Sequence, residues 1–130
     1  MKYIGREKAD WLEDLEKAAH CLDKVIEIAK QRGEELTAVI EQVNAMPGQG
    51  VSSMFNFGLS LGIVEGVLGW RMVPVSFVTP QRWKKQAGLI GRDKDASRTL
   101  AIRTFPEMAN QLKLKKHNGR ADAIFIARSE

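Results

Sequence analysis

The stretch that decides the fold runs from Leu36 to Phe57 and reads LTAVIEQVNAMPGQGVSSMFNF. Leu36, Ala38, Val39 and Ile40 form a short apolar run that predicts a buried strand over Leu36–Gln42. Glu41 interrupts this run, and a carboxylate there is costly unless a cation or several donors meet it. Asn44 to Gly50 reads as a loop, because Pro47, Gly48 and Gly50 break regular structure. Ser52 or Ser53 is the expected N-cap of the helix that follows. Glu41 is thus expected at the C-terminal end of a strand, beside a loop that enters a helix. Open α/β sheets collect ligands at this edge.

Working outward, residues 2–4 are expected to begin a strand that Gly5 stops early. Asp10 to Gln31 is helical by its spacing, with Trp11, Leu15, Leu22, Val25, Ile26 and Ala29 on one face and Gly33 as stop. The helix after the loop is expected to reach about Met72. Gly58, Gly62 and Gly66 recur on one of its faces, each weakening the helix by roughly 1 kcal/mol relative to alanine. Close packing of backbone against a sheet is the simplest reason to keep them. Ser60, Glu65 and Arg71 argue against a membrane packing motif. Val73 to Val78 predicts a second strand, with Pro74 at its start.

A basic segment follows, TPQRWKKQAGLIGRDKDASR, in which Trp83 either stacks on a base or anchors the segment to the core. Anchoring is the simpler reading. Asp95 is expected to cap a helix from Ala96 to about Thr104, and Phe105-Pro106 to end it. Glu107 to Leu112 makes another helical turn. Arg120 to Ser129 reads as a last helix carrying Asp122 near its start.

The chain has 130 residues, 44% apolar and 28% charged, which suits one soluble domain spanning 1–130. Its lone cysteine, Cys21, makes no internal disulfide or cysteine-rich zinc site, and is expected to be buried or half-buried. No signal peptide and no long apolar span are evident, so a cytoplasmic protein with no membrane partner is expected. No phosphate-binding GxxxxGK[ST] loop exists, so no nucleotide cofactor is expected.

The net charge of +4 is unevenly spread. Gln81 to Arg120 holds 11 Lys and Arg against 3 acids, whereas the remainder carries 9 basic and 13 acidic residues. Such asymmetry points to a polyanion-binding face. Arg82, Lys84, Lys85, Lys94, Arg98, Lys115, Lys116 and Arg120 are its candidate phosphate contacts. Glu41 and Asp122 are acids embedded in otherwise apolar segments. Brought together, they would make a hard oxygen site suited to Mg2+ or Mn2+. Pairing of each acid with a nearby Arg or Lys is the competing structural reading.

The segments IEQVNAMPGQGVSSMFNFG, TPQRWKK, KDASR and KKHNGRADAIFIA, in this order, resemble the phage-type branch of RuvC-like Holliday junction resolvases. The resemblance runs from about residue 36 to 130; residues 1–35 diverge and are mainly helical. It implies a ribonuclease-H-like α/β fold, a mixed sheet flanked by helices. It also implies a homodimer that binds four-way DNA and nicks it with magnesium. On that resemblance Glu41 and Asp122 are catalytic metal ligands. His117 is a ligand or base, and Asn118 offers a carbonyl oxygen where relatives carry acids. Lys84 or Lys85, and Lys94, match basic positions near the cut, and the loop with Gln49, Ser52 and Ser53 lies near the junction. The family opens with a strand of the form YIGID and a hairpin. Here Tyr3-Ile4-Gly5-Arg6-Glu7 leads straight into helix, so the N-terminal strands are expected to be reduced or missing. Glu7 is then a stand-in for the missing aspartate. The alternative expectation is a non-catalytic binder of DNA structures, or a degenerate resolvase.

Overall fold

The computed structural model describes residues 6–44 and 46–129, with side chains from residue 15 onward. The expected strand at residues 2–4 and the side chains of Glu7 and Trp11 lie outside the described residues. The chain order is α1 (Arg6–Gln31), β1 (Ala38–Glu41), α2 (Val51–Trp70), β2 (Val75–Val78), α3 (Pro80–Ala87), α4 (Ala96–Thr104), α5 (Ala109–Leu112) and α6 (Asn118–Ala127). Short 3-10 turns at Pro106–Met108 and Lys115–His117 precede α5 and α6. The architecture is mixed α/β. Contacts divide the chain into two compact units: Met1–Ala38 with Ala45–Val75, and Val39–Asn44 with Ser76–Glu130.

The first unit holds α1 and α2, which pack on each other. Along α1, Leu15, Ala19, Leu22, Ile26 and Ala29 are the sheltered apolar positions, at alternating steps of four and three. Gly33 ends the helix with φ +65°, and the Glu34 N–H reaches back to the Ala29 carbonyl at 2.9 Å. This is the left-handed closure that glycine adopts without steric cost. Arg71, just past α2, ion-pairs with Asp23 and, at 2.6 Å, with Glu27. These two carboxylates raise its pKa, Glu27 first.

Four expectations for this unit change. The N-cap of α2 is Gly50 without a side-chain cap bond, and Ser52 and Ser53 lie inside the first turn. Gln49 explains part of this: its amide oxygen accepts from the Met46 N–H and its amide nitrogen donates to Ser53 Oγ. Cys21 is exposed, because it falls off the stripe that α1 buries. Finally, the glycine face of α2 packs on no sheet: a Cβ at Gly58, Gly62 or Gly66 would meet nothing within 4 Å among the described residues. Only Leu68 of α2 is buried, and Phe55, Leu59 and Trp70 are exposed. By length and composition alone α2 is apolar enough to cross a membrane. That departs from the expectation, because glycines and a single Glu65 leave its mean hydropathy high, at 1.4.

The sheet has two strands, β1 and β2. Ala38 N–H donates to the Pro74 carbonyl at 2.9 Å and Gln42 N–H to the Val78 carbonyl at 2.8 Å. Both partners advance by four residues in the same direction, so the strands are parallel. Each strand has one neighbour among the described residues and presents one open edge.

The second unit carries a compact core of Val78, Trp83, Leu89, Ala101, Leu112, Ala121 and Phe125. α6 packs against α4 and α3. The basic segment after β2 forms helix α3, which the sequence reading left unassigned. Thr79 caps it by accepting from the Arg82 N–H, and Pro80 occupies its first turn. Gly88, at φ +72°, closes α3 as Gly33 closes α1. α4 spans the expected residues, and the last helix starts two residues early, at Asn118.

Candidate functional site

Glu41 ends β1, half-buried, and the second unit fixes its surroundings. The Gln42–Val78 bond ties the strand end to β2, and Thr79 and Pro80 then start α3 immediately. Trp83 follows on the first turn of α3. Its indole Nε1–H donates to Glu41 Oε2 at 2.5 Å. Trp83 is 2% exposed, so the anchoring reading of this residue holds. What sequence reasoning missed is the donor: the same ring that fills the core also binds the carboxylate. A tryptophan buried among cations, one turn past a strand end, is a signal for this, because a buried indole N–H requires an acceptor.

Among the described residues, neither embedded acid pairs with a cation. Glu41 has the neutral indole as its partner, and Asp122, half-buried near the start of α6, has no hydrogen bond or ion pair among the described residues. The competing reading, acids neutralised by Arg or Lys, is therefore not what these two side chains do.

A third carboxylate behaves differently. Asp95 was expected to cap α4; it occupies the N-cap position without a side-chain cap bond. Its Oδ1 instead accepts from Asn118 Nδ2 at 3.3 Å and from Arg98 Nη2 at 3.2 Å. Those bonds, Asn118 first and Arg98 second, hold the Asp95 carboxyl below the usual carboxylate range. Asn118 Oδ1 accepts from Arg98 Nε at 2.9 Å, so both ends of its amide are engaged. The carbonyl oxygen expected to face a metal faces a guanidinium instead. Arg98 further donates to the carbonyls of Leu112 and Lys113, and its side chain is only 16% exposed. Expected on the DNA face, Arg98 spends its donors tying α4 to the start of α6.

His117 is buried, 8% exposed, at the turn into α6. Its Nδ1 accepts from the Leu114 N–H at 3.3 Å. Burial, then the positive charges of Arg120, Lys116, Arg98 and Lys113, push its pKa below the usual imidazole range. Accepting at Nδ1 puts the ring proton of the neutral form on Nε2, a donor there. Nδ1, one of the two nitrogens open to the expected base or ligand role, is taken up by this bond.

The remaining basic candidates stay at the surface. Arg82, Lys84, Lys85, Lys94, Lys115, Lys116 and Arg120 are all exposed. Lys84 lies 5.6 Å over the Trp83 ring, and Arg120 donates to the Gln111 carbonyl. A shallow cleft runs between Thr79, Arg82, Lys84, Lys85 and Ile90. Gln49, Ser52 and Ser53 belong to the first unit.

The donor chemistry of Glu41 and Asp122 suits a hard cation. No cluster of three or more His, Cys, Asp or Glu able to hold a metal exists among the described residues. Magnesium is commonly held by one or two carboxylates, with water and substrate phosphate completing its shell. The carboxylate oxygens of both residues are the donor type that such a shell uses.

Taken together, the second unit belongs to a broad class: an α/β body with two uncompensated acids and an exposed basic surface. Over 97 residues, 71% of this chain, the sequence is 37% identical to the chloroplastic Holliday junction resolvase MOC1 of Chlamydomonas reinhardtii. The match spans 10% of that protein's length. No family model matches the chain. The similarity supports a relationship to Holliday junction resolvases.

Proposed function

We propose that this chain is a metal-dependent endonuclease unit that binds branched DNA and nicks it during recombination. The observation that carries the proposal is the pair Glu41 and Asp122: two half-buried carboxylates of the second unit, neither paired with a cation among the described residues. A buried acid beside many cations normally pairs with one, since that offsets its desolvation. The similarity to a resolvase favours the ribonuclease-H-like reading of the fold and a four-way junction as substrate.

In this reading Lys84, Lys85, Lys115 and Lys116 neutralise backbone phosphates and hold the strand. Glu41 and Asp122 would hold Mg2+, or Mn2+ in its place, which supplies Lewis-acid polarisation of the phosphate and a more acidic water. Glu41 Oε1 has no protein partner among the described residues and is the oxygen available for that purpose. His117, accepting at Nδ1, would present Nε2–H as a hydrogen-bond donor. Two copies acting as a homodimer would nick two opposed strands.

The test is nicking of a synthetic four-way junction in Mg2+ by the full chain, by Glu41→Gln and by Asp122→Asn. Each variant is expected to lose about 100-fold or more in rate, since removing a metal ligand costs at least as much as removing the hydrogen-bond support of one. Equal cutting by all three removes the proposed site. A second reading is a non-catalytic junction binder. The engagement of Asn118 by Asp95 and Arg98 favours it, because a third oxygen ligand is thereby withdrawn. Tight, salt-sensitive junction binding with no metal-dependent cutting would decide for it.

A further inference from the structure

We infer that Trp83 is a positioning residue for Glu41, holding one carboxylate oxygen so that the other is presented to a cation. The inference rests on the reading of Glu41 as a cation ligand and adds a residue to it.

Three observations converge. First, the Nε1–H of a tryptophan that is 2% exposed donates to Glu41 Oε2. A buried indole N–H without an acceptor carries a full desolvation cost, so this bond constrains both partners. Second, the partner is neutral although a cation is adjacent in sequence. Lys84 places its ammonium 5.6 Å over the Trp83 ring and forms no ion pair with Glu41. An ammonium in place of the indole would cancel the charge that attracts a metal ion. An N–H dipole fixes the carboxylate and leaves that charge in place. Third, the pair is held by backbone that cannot easily slide. The Gln42–Val78 bond ties the end of β1 to β2, Thr79 caps α3 directly afterwards, and Trp83 follows within one turn. The ring also packs in the core with Val78, Leu89 and Phe125, which locks its rotamer. A carboxylate at the end of a short strand with an open edge gains its orientation from this ring.

Trp83→Phe separates the two roles of the side chain, keeping an aromatic ring in the core and removing the N–H. Mn2+ alone is the probe, added to the full chain with 15N-labelled tryptophan. Paramagnetic broadening of the Trp83 indole resonance, assigned by its loss in Trp83→Phe, reports a metal at Glu41 without any catalysis. Broadening is expected in the native chain and not in Glu41→Gln. In Trp83→Phe, the Mg2+ concentration for half-maximal junction cutting is expected to rise about 10-fold or more. Junction affinity measured without metal should stay unchanged. An unaltered metal dependence in a folded Trp83→Phe would overturn the positioning role while leaving the Glu41 reading intact. Absence of broadening in the native chain would overturn both. If Trp83→Phe does not fold, Trp11→Phe and Trp70→Phe assign the native Trp83 indole resonance by elimination, and that resonance decides. A signal protected from solvent exchange, and moved by Glu41→Ala, supports the role; a signal indifferent to Glu41→Ala ends it.

Discussion

The two units use apolar residues in opposite ways. In the first, α2 is 20 residues long and buries one side chain, Leu68, while Phe55 and Trp70 stand 69% and 86% exposed. In the second, α6 is half that length and buries Ala121 and Phe125 in a core that also encloses Trp83 and Leu112. The difference lies in patterning rather than in apolar content. A helix that is apolar on every side has no face assigned to a neighbour, so its burial depends on what surrounds it. α3 is polar overall but directs its one tryptophan inward, and that residue becomes a centre of the core. Hydrophobicity sets how much surface a helix has available to bury, and arrangement sets whether it is buried.

This contrast is open to direct attack. The largest effect is expected for Leu112→Ala, which empties a fully buried site and should cost about 2–5 kcal/mol. The same change at Leu59, 41% exposed on α2, should fall within about 0.5 kcal/mol of the native chain. Denaturant melts of both variants measure it, and equal losses would mean that α2 is covered after all. Next in size is Gly62→Ala. With nothing within 4 Å of the new methyl, it should stabilise α2 by up to about 1 kcal/mol. A loss of stability instead would show that the glycine face meets another body in solution.

The smallest expected effect is a pH dependence confined to the second unit. The folded-state pKa of His117 is depressed, so the unfolded chain binds a proton at higher pH than the folded one does. Its contribution is intact above the unfolded value of about 6.5, and is lost as pH falls from there through the folded value. Asp95 is also depressed, so its contribution is intact above about 4 and lost as the pH drops further. Thermal melts between pH 7.5 and 5.5 should show a decline that His117→Gln flattens. A decline of equal slope in that variant would assign the effect to other groups.

Much of the framework was legible along the chain. Gly33 marked the end of α1, since a left-handed closure there favours glycine. The helix at Ala96–Thr104 and the stop at Phe105-Pro106 followed from local chemistry alone. Local signals worked because the interactions that decide those ends lie within a few residues. Where the deciding partner was distant, local reading failed. Asp95 looks like a cap from its sequence, yet Asn118, 23 residues on, takes its carboxylate. Arg98 looks like a phosphate contact, yet two main-chain carbonyls and two side chains consume its donors. The glycines of α2 suggested a sheet beneath them, and no such contact exists among the described residues.

The order of residues alone determined where both strands and most helices lie, α3 excepted, where positive charge accumulates, and that Glu41 and Asp122 are acids out of place in apolar segments. Periodicity, turn residues and charge are properties of neighbours in the chain, so no folding was needed to read them. Tertiary structure alone decided who meets these groups. It gave Glu41 an indole 42 residues away, left Asp122 without a partner among the described residues, and turned Asn118 and Arg98 toward each other. The reason is physical: a hydrogen bond fixes atoms within about 3 Å, and that proximity is created only when distant segments pack into one core.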